Sequence, residues 1–158
     1  MPRQIEKVIS GGQSGVDIGA LKAAKAAGIA TGGWMPRGWL TERGPCPEYA
    51  ERFELRQHEK DDYPSRTWRN IESADATLIL AGNVQSPGTR LTVEFCERMR
   101  KPYAAFDPAN VTVQDVLRWL PDVVVLNVAG NRESKSPGIE EWAERFLCDV
   151  FTTLKRDW

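Results

Sequence analysis

The feature that most constrains the fold is an alternation. Short β-rich runs trade places with stretches of helical periodicity along the whole chain. "IEKVIS" is followed by a helical pattern over 14–27, "FELRQH" by one over 65–74, and "ATLILA" by one over 89–100. "YAAF" is followed by a helix over 112–120, and "VVVLNVA" by one over 137–154. This rhythm predicts an α/β fold: a three-layer, Rossmann-like sandwich with a mainly parallel central sheet and helices on both faces. "ATLILA" and "VVVLNVA" are apolar at nearly every position, as expected of central strands buried on both faces. At 158 residues one core suffices, and we expect one nucleotide- or phosphate-binding domain over residues 1–158.

The turns between these elements carry the chemistry. In "KVISGGQSGVD" a strand ends at Gly11 and Gly12, Gln13 and Ser14 follow, and Gly15 and Asp17 precede a helix whose inward stripe begins Leu21, Ala24, Gly28. Ser14 and Asp17 have capping-box spacing. Glycines before a helix N-terminus leave backbone N–H groups open to an anion and let a phosphate approach closely. The same glycines also suit an ordinary tight turn, since Gly-Gly-x-x-Gly is neither the dinucleotide fingerprint nor a P-loop.

A second strand, glycine turn and helix start occurs at "GNVQSPGTRLTVEF", where Gly88 and Thr89 open a helix with Leu91, Phe95 and Met99 inward and Thr92 in its first turns. Parallel strands with right-handed crossovers bring both turns to the carboxyl edge of the sheet, where ligands bind. Glu94 lies one turn along, placed either to look into that crevice or to pair with Arg98 on the surface. A third edge, "VVVLNVAGNRESKSPGIEEW", leaves its strand through Asn127 and Gly130, offers Arg132 as a fork for phosphate or as a solvated loop residue, and starts a helix with Ser136 capping and Pro137 first. In "PSRTWRN", Arg66, Thr67 and Asn70 start a helix, and Arg66 and Asn70 share a face that can meet one ligand; the alternative is a surface arginine and an asparagine bonded to backbone.

The stretch 32–48 is rich in glycine, proline and tryptophan and reads as a long loop. Trp34 and Trp39 sit in it, either to stack on a base or to pin the loop by packing. Trp119 and Trp142 fall on amphipathic helices as core or interface anchors.

Composition narrows the function classes. A net charge of -1 supplies no general field for nucleic acid. The N-terminus lacks a signal-peptide core and no run approaches a membrane span, so a cytoplasmic protein with no membrane partner is expected. Cys46, Cys96 and Cys148 have neither disulfide nor zinc spacing and read as reduced thiols, and no soft-ligand metal set is evident. The single histidine, His58, lies in a polar run and reads as a solvated loop residue. No Gly-x-Ser-x-Gly elbow accompanies it, which argues against triad hydrolysis.

Taken together, "ISGGQSGVD", "GGWMPRG", "RTWRNI", "ADATLIL", "GTRLTVE" and "LNVAGNRESKSPGI" resemble the family of putative molybdenum carrier proteins, over almost the whole length from Ile9 to Ile139. That family is similar to the wider Rossmann-like group that includes the cytokinin-activating phosphoribohydrolases of the lysine-decarboxylase-like type. The resemblance implies a dimer or higher homo-oligomer that binds a small phosphorylated ligand, an AMP-like nucleotide or a molybdopterin-type cofactor. The resemblance carries over to Gly11, Gly12, Gly15, Gly88 and Thr89, and with the residues singled out above the candidate contacts are Gly11, Gly12, Gln13, Ser14, Gly15, Asp17, Trp34, Arg66, Thr67, Asn70, Gly88, Thr89, Thr92, Gly130 and Arg132. If the chain is an N-glycosidic phosphoribohydrolase, Glu94 and Arg66 are the catalytic candidates. Those hydrolases use Pro-Gly-Gly-x-Gly-Thr-x-x-Glu, whereas "SPGTRLTVE" lacks the paired glycines and places Glu94 two positions later. A nucleotide-signal sensor without turnover is a third reading.

Overall fold

The computed structural model describes residues 5–156. In chain order the elements are β1 (Lys7–Ile9), α1 (Val16–Ala26), β2 (Ala30–Gly32), β3 (Trp34–Met35), α2 (Tyr49–Arg52), β4 (Arg56–Gln57) and α3 (Tyr63–Glu72). They continue with β5 (Ala76–Leu80), α4 (Pro87–Met99), β6 (Tyr103–Phe106), α5 (Val113–Trp119), β7 (Val125–Gly130) and α6 (Ile139–Arg156). Five strands form one sheet in the order β2-β1-β7-β5-β6, and every pairing in it is parallel. The predicted α/β sandwich is the observed architecture.

The chain steps outward from β1 to β2, crosses over to β5, steps outward again to β6, then returns to insert β7 between β1 and β5. Right-handed crossovers in opposite directions put helices on opposite faces. One face carries α1, α5 and α6 over a core of Val8, Leu78, Leu80, Leu126, Val128, Val116 and Leu147. On the other, α3 and α4 close over Ile71, Phe95 and Cys96, with Trp68 set edge-on to Phe95. β5 is buried at all five positions, as its uninterrupted apolar run requires. Asn127 departs from expectation. It is an interior strand residue, 3% exposed, whose side chain donates to Thr77 Oγ1 in β5.

"FELRQH" behaves differently from the central runs. Only Arg56–Gln57 is extended, and it pairs with Trp34–Met35 in a separate two-stranded sheet. The loop predicted over 32–48 therefore includes β3. This small sheet, with Phe53 and Leu55, packs on Ile18 and Leu21 of α1. His58 is 7% exposed, held by its N–H on Met35 C=O and by Lys60 N–H donating to its Nδ1. It is thus not the solvated residue expected from its polar neighbours. The three cysteines are free thiols. No helix among the described residues is long and apolar enough to cross a membrane.

The tightest helix contact is between α1 and α6. A Cβ at Gly19 would lie 2.6 Å from the Glu140 carbonyl oxygen and 2.9 Å from Ala143 Cβ. Alanine adds about 1 kcal/mol of helix propensity, but a methyl forced to 2.6 Å from a backbone oxygen falls in the upper part, about 2–3 kcal/mol, of the cost of overpacking, so the clash wins. Gly19→Ala should lower the melting temperature by about 2–8 °C in calorimetry.

Candidate functional site

Because the large sheet is parallel, the loops after β1, β5 and β7 share its carboxyl rim. At the first turn, α3 sends Arg66 across the glycines. A Cβ at Gly11 would lie 1.8 Å from Arg66 Nη1 and 3.0 Å from Asp17 Oδ2, so only glycine lets the guanidinium pass. Gly15 has φ 89°, and a Cβ there would meet the Asn131 carbonyl oxygen at 2.2 Å. The β1–α1 loop is thereby pressed against the loop after β7, which brings Arg132 to the same place. Tyr63, the first residue of α3, lies between the two arginines, its ring centre 5.5 Å from Arg66 Cζ and 4.6 Å from Arg132 Cζ.

The electrostatics are unusual. Neither guanidinium forms an ion pair with a described residue. Burial and repulsion from Arg132 push Arg66 below the ordinary guanidinium range, while attraction to Asp17 pulls the other way. Arg66 Nε is buried without a partner, and so is Gln13 Oε1. Burial pushes the Asp17 carboxyl up to about 6, against the pull of Arg66, the Gln13 amide, Arg132 and the Gly11 amide. Two cations thus face one buried carboxyl group.

Several expectations are corrected here. Ser14 does not cap α1. Gly15 is the N-cap, without a side-chain bond. The Ser14 hydroxyl instead donates to Glu42 and accepts from Glu133 N–H at 3.2 Å. Asp17 lies beneath the turn, where Oδ2 accepts Gln13 N–H at 3.2 Å. The Gly12 amide donates to Ser10 Oγ at 3.3 Å and Val16 N–H to the Asn131 carbonyl at 3.1 Å. The amides of Gly12, Gln13 and Val16 are therefore engaged within the protein, while those of Ser14, Gly15, Asp17 and Ile18 have no acceptor among the described residues. At the third edge, the Glu133 carboxylate accepts the Gly138 and Glu140 amides at 2.6 and 3.0 Å, filling the place assigned to Ser136 and Pro137. Ser136 Oγ accepts from Asn131 instead. Gly130 is required by packing, since a Cβ there would lie 2.2 Å from the Leu80 carbonyl oxygen.

Asn70 also turns away from any ligand. Its amide binds both the N–H and C=O of Trp34, at 2.9 and 3.0 Å. Trp34 forms a wall of two clefts, of about 400 and 220 Å³, neither of which is lined by a residue of either glycine turn. Arg69 covers its ring at 4.4 Å. Thr67 is half-buried on α3 next to Arg66.

The second turn keeps open donors. Ser86 is the N-cap of α4 and makes no side-chain cap bond, and the amides of Gly88 and Thr89 have no acceptor among the described residues. A Cβ at Gly88 would meet nothing within 4 Å, so the fold does not demand a glycine there. Thr89 Oγ1 accepts from Ser86, and Thr92 Oγ1 donates back to the Gly88 carbonyl. Glu94 is exposed, and Arg98 lies over the Trp68 ring rather than bridging to it. β7 separates the ends of β1 and β5, so the strands that lead into the two turns are two strand spacings apart, about 10 Å.

Two participants escaped the sequence reading. Tyr63 gave no signal beyond its place before Pro64 at a helix start. Glu42 lies in the 32–48 loop and accepts from Ser14 Oγ, from Ser134 N–H at 3.2 Å and from Ser134 Oγ. Hydrogen bonds from Ser134 and then Ser14 hold its carboxyl below the usual range.

The model of the circularly permutated YpsA SLOG family matches residues 8–151. A crystal structure of a "Putative molybdenum carrier protein" from Syntrophus aciditrophicus SB is 34% identical, with a TM-score of 0.84 over 96% of this chain and 97% of that one. No curated protein matches the chain.

The buried carboxyl makes a pH prediction. The folded value for Asp17, about 6, lies above the ordinary 3.8. Its contribution to stability is therefore complete below about pH 4 and is lost as pH rises through 6, to an extent of about 3 kcal/mol. Urea midpoints from pH 5 to 8 should decline in the native protein and flatten in Asp17→Asn, whose amide oxygen can still accept the Gln13 N–H.

Proposed function

The chain belongs to the circularly permutated YpsA SLOG family and is of the putative molybdenum carrier type, and from that premise we propose that it binds a nucleotide or a phosphorylated, molybdopterin-type cofactor at the carboxyl rim of the sheet. One observation carries this reading: Arg66 and Arg132 converge across Tyr63 above Gly11 with no ion-pair partner between them. An oxyanion supplies the missing counter-charge, and a guanidinium is suited to hold it through paired hydrogen bonds.

The second turn supports an extended ligand over a bare ion. Gly88 and Thr89 offer open amides at the start of a 13-residue helix, and no atom of the protein fills the space a Cβ at 88 would need. They follow β5, whereas the arginines meet at the loops after β1 and β7, so one ligand that reaches both must extend along the rim. The two arginines are the main anion donors in this reading, because a charge-assisted hydrogen bond outweighs one from a neutral amide and the Gly12 and Gln13 N–H groups are engaged within their own loop. Binding is preferred to N-glycosidic hydrolysis because the hydrolytic candidate Glu94 stands exposed on α4.

Calorimetric titration with adenosine 5'-monophosphate and with molybdopterin tests the reading. Loss of a charged hydrogen bond is worth about 1.5–3 kcal/mol, so Arg132→Ala should weaken binding about 10- to 150-fold. Gly88→Ala should weaken it while leaving the melting temperature within about 2 °C. If both ligands bind Arg132→Ala as they bind the native protein, the rim is not the site.

A further inference from the structure

The segment from Arg37 to Cys46 crosses the first glycine turn and is fastened to it at two points. Gln13 Nε2 donates to the Leu40 carbonyl at 2.9 Å, and Glu42 receives the Ser14 hydroxyl together with the amide and hydroxyl of Ser134. The segment also closes on itself, with Thr41 and Gly44 exchanging backbone bonds and Cys46 N–H donating to the Trp39 carbonyl at 2.8 Å. It bends at Gly38 and Gly44, and Trp39 is held at φ 58°, a conformation a bulky residue rarely adopts.

The donors that Glu42 takes are those an oxyanion at this rim would want: two hydroxyls and a backbone N–H, with Arg132 near enough to contribute to holding Glu42 ionised. The carboxylate is exposed to solvent, so displacing it does not require opening the core. Meanwhile Gln13 Oε1 and Arg66 Nε are buried beneath this part of the fold without partners. A buried polar atom left unpaired is costly, so a ligand that supplies those partners offsets part of the cost of releasing the strap.

We propose that residues 37–46 form a strap whose Glu42 carboxylate stands in for the ligand's phosphate, and that phosphate and Glu42 compete for Ser14 and Ser134. This rests on the anion-binding reading of the rim and adds its regulation. Apparent affinity is then reduced by the fraction of molecules in which the strap is fastened. The strap favours phosphorylated ligands that also present a hydroxyl or amine, since Gln13 Oε1 is an acceptor in search of a donor.

The test titrates inorganic phosphate and adenosine 5'-monophosphate into the native protein, Glu42→Gln and Glu42→Asp, and follows amide hydrogen exchange over 37–46. Glu42→Gln should bind both about fivefold or more tightly, and ligand should speed exchange of the Cys46 amide in the native protein. Glu42→Asp keeps the charge but is one methylene short of both serines, so it should share the gain. If only Glu42→Gln gains, the effect is long-range charge and the competition is overturned. Unchanged or weaker binding by both variants, with dependence on Arg132 retained, also overturns the strap while leaving the rim site standing. Absence of binding by all three proteins overturns both.

Discussion

The rim depends on one buried contact: the Arg66 guanidinium lying across Gly11 above Asp17. A guanidinium stays charged even when burial disfavours it. It needs a passage without a side chain, which Gly11 provides, and a nearby negative group, which Asp17 supplies from the first turn of α1. Asp17 in turn holds the loop by accepting the Gln13 amide, and Gly15 lets the loop rest on the Asn131 backbone. The positions of Arg132 and Tyr63 follow from that contact between loops.

This arrangement changes which forces act on an anion. The three rim loops resemble helix N-termini open to phosphate, yet in two of them part of the donor set is already answered by the protein itself. Asp17 and Asn131 take donors at the start of α1, and Glu133 takes those at the start of α6. An exposed helix terminus contributes about 0.3–1 kcal/mol to a bound charge, whereas a charge-assisted hydrogen bond contributes about 1.5–3 kcal/mol. Selectivity at this rim therefore follows the arginines, with the open amides at the starts of α1 and α4 as a smaller backbone contribution.

The helices and strands that periodicity announced are largely those observed. "ATLILA" and "YAAF" lie where expected, and Thr112 with Asp115 makes a true capping box at α5. The misses are elements too short for a period to show, namely β2, β3 and the four-residue α2, and the run "FELRQH" is extended only at β4. His58 was misplaced for a related reason. Its neighbours in sequence are polar, but its surroundings in space are Met35 and the Trp34 ring, 6.4 Å away.

The chain order of residue types was enough to specify a parallel sheet and to put three loops on one edge, because strand burial and crossover handedness are local or nearly local properties. It was also enough to single out Arg66, Arg132 and both glycine turns. Partner choice was beyond it. Ser14 and Asp17 have the spacing of a capping pair, but Glu42 and Glu133, 28 and 119 positions away from Ser14 in the chain, decide what the serine does. Asn70 is bound to Trp34 across 36 positions. Hydrogen-bond donors go to whichever acceptor folding brings within reach, and that competition is settled only when distant loops meet in space.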